Sequence, residues 1–260
     1  MMSIPRIGTS GWAYRHWRQV FYPPRFPQRK WFEFYAGSFD TVELNVTFYR
    51  MPSLSTFQSW KARAPTGFLF AVKGSRYISH LKRLSGVKPS LQYFFDRVDA
   101  LGDRCGPILW QLPPNFERID ERLQAFLEEL PDGYRHAFEF RHPSWFVEST
   151  FALLSARNAA LCIADSPSRP PFVRLTANWT YLRFHEGMAS GSYTDPQLAE
   201  WSARITDFRK RDVDVYAYFN NDPGGNAIHN ARRLKEMVNG SEPERMDGSE
   251  REGRHPEASG

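Results

Sequence analysis

Cysteine is nearly absent, with two in 260 residues. Cys105 and Cys162 sit in apolar runs without metal-ligand spacing, which excludes a disulfide framework or thiolate metal site and predicts two buried, reduced thiols. No stretch approaches the ~18 uncharged apolar residues of a membrane span. The start, MMSIPRIGTSGW, lacks the apolar core of a secretion signal, so a cytoplasmic protein with no membrane partner is expected. Asn45-Val-Thr47 and Asn178-Trp-Thr180 match a glycosylation pattern by chance if that expectation holds. The first strand candidate runs into GTSGWAYRHW, which is no Gly-rich dinucleotide fingerprint, and no serine lies in a nucleophile elbow. No motif calls for a cofactor.

Aromatic residues, by contrast, are plentiful: they make up 15% of the chain, and hydrophobic residues 41%. That is material for one large core, expected to span residues 1–240 as one domain. The last twenty residues, SEPERMDGSEREGRHPEASG, carry six acidic and three basic side chains and no aromatic one, so a disordered tail is expected there. The chain's net charge is +5; removing the tail's −3 leaves +8 on the remainder. Such a surplus suits an anionic ligand.

Eight β-type runs alternate with amphipathic stretches. The runs are Pro5–Gly8, Thr41–Asn45, Phe68–Lys73, Pro107–Leu112, His136–Phe140, Ala159–Asp165, Thr180–His185 and Asp214–Phe219. The number and spacing predict an α/β chain folded as a (β/α)8 TIM barrel. The proline-rich link SPSRPPFV predicts a missing or irregular helix after the sixth strand.

Side chains two apart share a strand face. Glu43 and Asn45 oppose Val42 and Leu44; Glu139 and Arg141 oppose Phe138 and Phe140; Arg183 and His185 oppose Leu182 and Phe184; Tyr218 and Asn220 oppose Ala217 and Phe219. Lys73, Gln111 and Asp165 close their own strands. The bulky apolar sets belong under helices, leaving the polar sets to line the C-terminal mouth of a barrel. Unpaired buried charges are costly, so these groups are expected to pair around a wet cavity.

At the same strand ends the chain resembles the YecE-like family, catalogued as a domain of unknown function. The matching segments are GTSGWAY, ELNVTFYR, FAVKGSRYISH, ILWQLPPNF, FEFRHPSW, IADSP, YLRFHE and YFNND, in order from Gly8 to Asp222. The resemblance implies a TIM barrel and supplies no reaction. The family pattern ends the seventh strand with His-Gly, whereas Glu186 intervenes here between His185 and Gly187.

Three chemistries fit the rim. In the first, Glu139, Asp165 and Glu43 serve as general acids or bases with His185 as a proton shuttle. Lys73, Arg141 and Arg183 then bind an anionic or sugar-like substrate, with Arg76, His80, Gln111, Asn220 and Asn221 as further contacts. Trp12, Tyr49 and Tyr218 form an apolar wall, and Gly187 to Gly191 a lid. In the second, Glu139, Asp165, His185 and Asp222 form a divalent-metal set, as in barrel sugar isomerases or epimerases; the nearby arginines argue against it, and no metal ligand is assigned. In the third, the basic stretch KGSRYISHLKRLSGVK binds or processes nucleic acid. The sequence does not decide between enzyme and binding protein, nor does it give an oligomeric state. Asn221 or Asp222 is expected to cap the helix after the eighth strand.

Overall fold

The structure is a computed structural model that describes residues 4–188 and 190–240. Eight parallel strands form a nearly closed barrel: β1 Arg6–Thr9, β2 Thr41–Leu44, β3 Leu69–Lys73, β4 Cys105–Gln111, β5 His136–Glu139, β6 Ala160–Asp165, β7 Trp179–Phe184 and β8 Asp214–Phe219. Helices between them include α1 Trp31–Ala36, α2 Val46–Tyr49, α3 Leu54–Arg63, α4 Lys88–Val98, α5 Asp120–Glu129, α6 Glu148–Ala156, α7 Asp195–Lys210 and α8 Asn226–Gly240. The link between β6 and β7 holds no helix, as the proline-rich stretch predicts. The expected tail lies outside the described residues.

Local chemistry sets several helix starts. The Ser53 hydroxyl accepts from the Thr56 amide ahead of α3. Thr194 and Gln197 form a reciprocal capping box at α7, with Pro196 in the first turn. Neither Asn221 nor Asp222 makes the expected cap: the short 3-10 turn Pro223–Gly225 precedes α8, and no side chain caps it.

The strand alternation sorts the interior into two layers of packing. Outward residues such as Val42, Phe70, Trp110, Phe138, Leu182 and Phe219 join the helices in the main core. Inside the barrel, Ala71, Ala137, Ala160 and Cys162 of β3, β5 and β6, with Leu109 of β4, face the large rings of Trp179, Tyr181, Tyr216 and Tyr218. Small side chains on one wall and aromatic ones on the other fill the cylinder's lower half, which confines any solvent-filled space to the C-terminal mouth. Cys162 is buried and Cys105 half-buried, both are unbridged, and burial pushes both thiols up.

Backbone pairing runs from β1 through β8, β7 and onward to β2, leaving β1 and β2 side by side without a ladder. A side chain bridges that seam. The Tyr35 hydroxyl of α1 accepts from the Thr9 amide at 3.0 Å and donates to the Thr41 carbonyl at 3.0 Å. The strands approach so closely that a Cβ on Gly8 would lie 2.3 Å from the Thr41 carbonyl oxygen, so only glycine fits there.

Candidate functional site

Above the aromatic layer, Arg183 on β7 lies 1% exposed between two carboxylates that are fully buried, Glu43 on β2 and Glu139 on β5. Its Nε and Nη2 donate to Glu43 Oε2 and Oε1 at 2.9 and 2.8 Å, a two-pronged contact. Its Nη1 donates to Glu139 Oε2 at 2.6 Å. The remaining lone pairs of Glu43 accept from Ser10 Oγ at 2.7 Å and Tyr181 Oη at 2.8 Å. Glu139 also accepts from Gln111 Nε2 at 2.9 Å and Arg141 Nε at 3.1 Å.

These contacts decide the protonation of the carboxylates. Burial alone would push Glu43 up, but Arg183, then Lys73 and Ser10, outweigh it and hold the carboxyl below its usual range. Burial likewise opposes ionisation of Glu139, and Arg183, His185 and Arg141 hold it well below. Both are therefore anions that anchor cations. Neither faces the open cavity.

His185 lies 3.2 Å through Nε2 from Glu139 Oε1 and 3.4 Å through Nδ1 from Asn220 Nδ2. The tautomer that satisfies both carries its proton on Nε2. Asn45 Nδ2 donates in turn to Asn220 Oδ1 at 3.4 Å, so a polar chain runs Asn45, Asn220, His185, Glu139.

Over this layer opens a cavity of about 570 Å³ lined by Lys73, Arg76, Arg141 and Arg183, by Gln111, Asn45 and Asn220, and by a wall of Tyr14, Phe48, Tyr49 and His80. Asp222 is the one carboxylate in its lining among the described residues, and it pairs with His16 at 3.2 Å. Lys73 Nζ sits 4.3 Å over the Phe48 ring. Burial, then the Arg183 charge, brings its pKa down to about 8, against the opposing pull of Glu43 and Glu139. Burial, then Lys73, Arg141 and Arg76, brings His80 to about 4, so its imidazole is neutral at neutral pH.

Several expected site residues stand elsewhere. Asp165 shares its face with Leu161 and Ile163, turns toward the helix layer, and accepts from Trp201 Nε1 of α7 at 2.7 Å. Burial pushes it up, but it is not at the cavity, so it is no partner for Glu139. Asn221 faces away from the barrel axis and is buried; its Nδ2 donates to the Gly191 carbonyl at 2.8 Å and Asn230 Oδ1 at 2.9 Å. Tyr218 is fully buried beneath the site, bonded to Thr41 Oγ1 at 2.7 Å, and forms floor rather than ligand wall. Trp12 packs on Phe32 and Trp60 and lines a separate groove with Ala13, Val46 and Leu44. The candidate lid is tied at its ends: Gly187 N donates to Gly191 O at 3.1 Å, and Ala189 lies outside the described residues.

The metal-ligand set is likewise not assembled. Asp165 faces Trp201, Glu139 is enclosed by four donors, and no group of three or more His, Cys, Asp or Glu among the described residues is placed to hold a metal ion. The basic stretch after β3 divides: Lys73, Arg76 and His80 reach the cavity, whereas Lys82 covers the Tyr77 ring and Arg83 that of Phe116. No described helix is long and apolar enough to cross a membrane.

Tyr14, Phe48 and Ser10 are part of the site and were not anticipated. Ser10 continues the inward parity of β1 beyond its last paired residue, a signal available from Gly8 onward. Tyr14 and Phe48 come from the loop after β1 and from α2, where no strand period marks a face.

Residues 6–254 match the family model described as protein of unknown function DUF72. The chain belongs to that family. The membership is consistent with the YecE-like resemblance of the strand ends and coarser than it. Among DUF72 relatives, the UPF0759 protein YunF of Bacillus subtilis (strain 168) is 25% identical over 281 residues, covering 93% of this chain and 98% of that protein. The crystal structure of a DUF72 family protein from Thermotoga maritima MSB8 is 27% identical with a TM-score of 0.82, over 91% of this chain and 100% of that one. A DUF72 family protein from Enterococcus faecalis V583, at 20% identity and a TM-score of 0.77 over 90% of this chain and 95% of that one, shares the fold.

Proposed function

We propose that this DUF72 chain binds a small anionic, polyhydroxylated molecule, such as a sugar phosphate or hydroxy acid, in the mouth cavity and acts on it by proton transfer. One observation carries the reading: Lys73, Arg76, Arg141 and Arg183 all line one cavity whose single described carboxylate is already paired with His16. A volume of about 570 Å³ suits a small ligand. Arg183 is held rigid by Glu43 and Glu139, so it meets an incoming anion without reorganising. The amides of Gln111, Asn45 and Asn220 suit hydroxyl groups, and Tyr14, Phe48 and Tyr49 suit the apolar face of a ring.

Within this reading the acid–base work falls to imidazoles. His80 is neutral and in the cavity lining; His185 is held in one tautomer by Glu139 behind it. Glu139 and Glu43 are positioning residues, since their oxygens are filled by protein donors.

A thermal-shift panel tests the reading. Inorganic phosphate and ribose 5-phosphate are expected to stabilise the protein, by about 2.7 kcal/mol at a hundred times Kd, whereas ribose is not. At the same ligand concentration Arg76→Gln and Arg141→Gln are each expected to cut the shift to about half or less. Equal stabilisation by neutral ribose, or a full shift in both variants, would sink the anion site. Binding only of oligonucleotides, tightening with length and lost in salt, would replace it with a nucleic-acid function.

A further inference from the structure

Lys73 stands apart from the other cations of the site. Arg183 and Arg141 are each bonded to a carboxylate. Lys73 Nζ has no hydrogen-bond acceptor or ion-pair partner within reach among the described residues, although the residue is 7% exposed. Its two nearest carboxylates have spent their lone pairs on Arg183, Ser10, Tyr181, Gln111, Arg141 and His185. What backs the amine is the Phe48 ring, 4.3 Å away, which stabilises an ammonium but takes no proton. The backbone beneath is held firmly: Thr47 Oγ1 donates to the Lys73 carbonyl at 2.6 Å, and Gly74 N to Leu109 O at 2.8 Å.

A base shares the cavity. Ser79 Oγ donates to the Ser75 carbonyl at 3.1 Å, so the 2.9 Å contact between Ser79 Oγ and His80 Nδ1 has the imidazole as donor. That tautomer leaves His80 Nε2 as an unprotonated acceptor.

We propose that Lys73 is a carbonyl-reactive amine that condenses with an aldehyde or ketone carrying a phosphate or carboxylate. The inference rests on the anion-binding reading: Arg76, Arg141 and Arg183 hold the anionic group, which brings the carbonyl carbon to Nζ. The neutral amine's lone pair forms the C–N bond while the carbonyl π pair moves to oxygen, which takes up a proton. His80 Nε2 accepts a proton from nitrogen and returns it to the departing hydroxyl. Loss of water then leaves a protonated C=N, which returns to solvent the proton that the oxygen had taken from it, so amine and carbonyl compound give imine and water with no change of oxidation state. A lysine with a pKa of about 8 holds roughly 300-fold more free amine at pH 7 than an ordinary one.

Reductive trapping tests this on the whole chain at pH 7.5. The protein is mixed with glycolaldehyde phosphate and cyanoborohydride, digested, and its lysine peptides quantified by mass. Lys73 is expected to be labelled at least about ten-fold faster than Lys61 or Lys88, with inorganic phosphate suppressing it. Lys73→Arg is expected to lose that label, with the slow background labelling of Lys61 and Lys88 unchanged. Phosphate binding with labelling spread over exposed lysines would overturn the proposal alone. Absence of phosphate binding would instead remove the anion site. In that case trapping with uncharged glycolaldehyde tests the amine separately: preferential Lys73 labelling supports its reactivity, and uniform labelling overturns it.

Discussion

Arg183 and Glu43 face each other across the barrel through two hydrogen bonds, at 2.9 and 2.8 Å, with neither residue more than 1% exposed. A pair so buried is expensive to desolvate and more expensive to break. It fixes the orientation of the guanidinium under the cavity, and Glu139 completes the clamp from β5.

Removing one partner strands the other. Glu43→Gln is expected to cost about 3–5 kcal/mol in urea unfolding, because Arg183 keeps only Glu139 as a counter-charge. Arg183→Met is expected to cost a similar amount alone, and the double variant much less than the two combined. Additive losses would show that the pair is not energetically coupled.

The Tyr35 hydroxyl bridges the seam between β1 and β2. Tyr35→Phe leaves the Thr9 amide without its partner in a buried setting and is expected to cost about 1–3 kcal/mol. Hydrogen exchange at Thr9 is expected to accelerate, while amides of the β4–β5 pairing keep their protection. Unchanged exchange at Thr9 would mean that something other than Tyr35 closes the barrel.

Acid stability reports a buried imidazole. His136 accepts from Trp110 Nε1 at 3.3 Å and reaches the Pro131 carbonyl through Nε2 at 3.2 Å, and burial lowers it from 6.5 to about 4. Between those values the unfolded chain binds more protons, so stability falls as pH drops from 6.5 to 4, by up to about 1.4 kcal/mol per unit from this residue. Below 4 both states are protonated and this contribution stops changing. Glu43 and Glu139, with depressed values, add a further loss at lower pH, below the ordinary carboxylate range. His80, also lowered from 6.5 to about 4, adds a loss over the same range, so His136→Gln is expected to reduce the slope above pH 4 without removing it; an unaltered slope would place its origin elsewhere.

Much of the barrel was legible because strand alternation is a two-residue signal that survives without homologues. The eight runs coincide with β1 to β8 to within about two residues at each end, the usual uncertainty of element boundaries. The same period put Glu43, Lys73, Gln111, Glu139, Arg141, Arg183 and Asn220 on the inner face, where they stand. Asp165 is polar but shares its strand face with Leu161 and Ile163, whose parity marks that face as outward. Asn221 lies one residue beyond inward Asn220 and faces the opposite way for the same reason.

Depth was less legible than direction. Tyr218 points inward but lies one layer below Asn220, under the site rather than in its wall. The contributions of Tyr14 and Trp12 from the loop after β1 and of Phe48 from α2 follow no strand period, and only packing decides that two of them reach the cavity while Trp12 leans on Trp60. Lone-pair occupancy was invisible as well: the sequence displayed carboxylates suited to acid–base work, but four donors surround Glu139 and leave it an anchor.

Calorimetric titration with inorganic phosphate measures directly whether the cavity lined by Arg76 and Arg141 takes a small anion. Saturable one-site binding is expected, weakened at least about ten-fold by Arg76→Gln or Arg141→Gln, the loss of one charge-assisted contact. Proton uptake on binding is also expected near pH 8, because a bound anion raises Lys73 from about 8, so affinity rises as pH falls from about 9 to 8. Phosphate binding that is absent, or that ignores both substitutions and pH, would contradict the anion site.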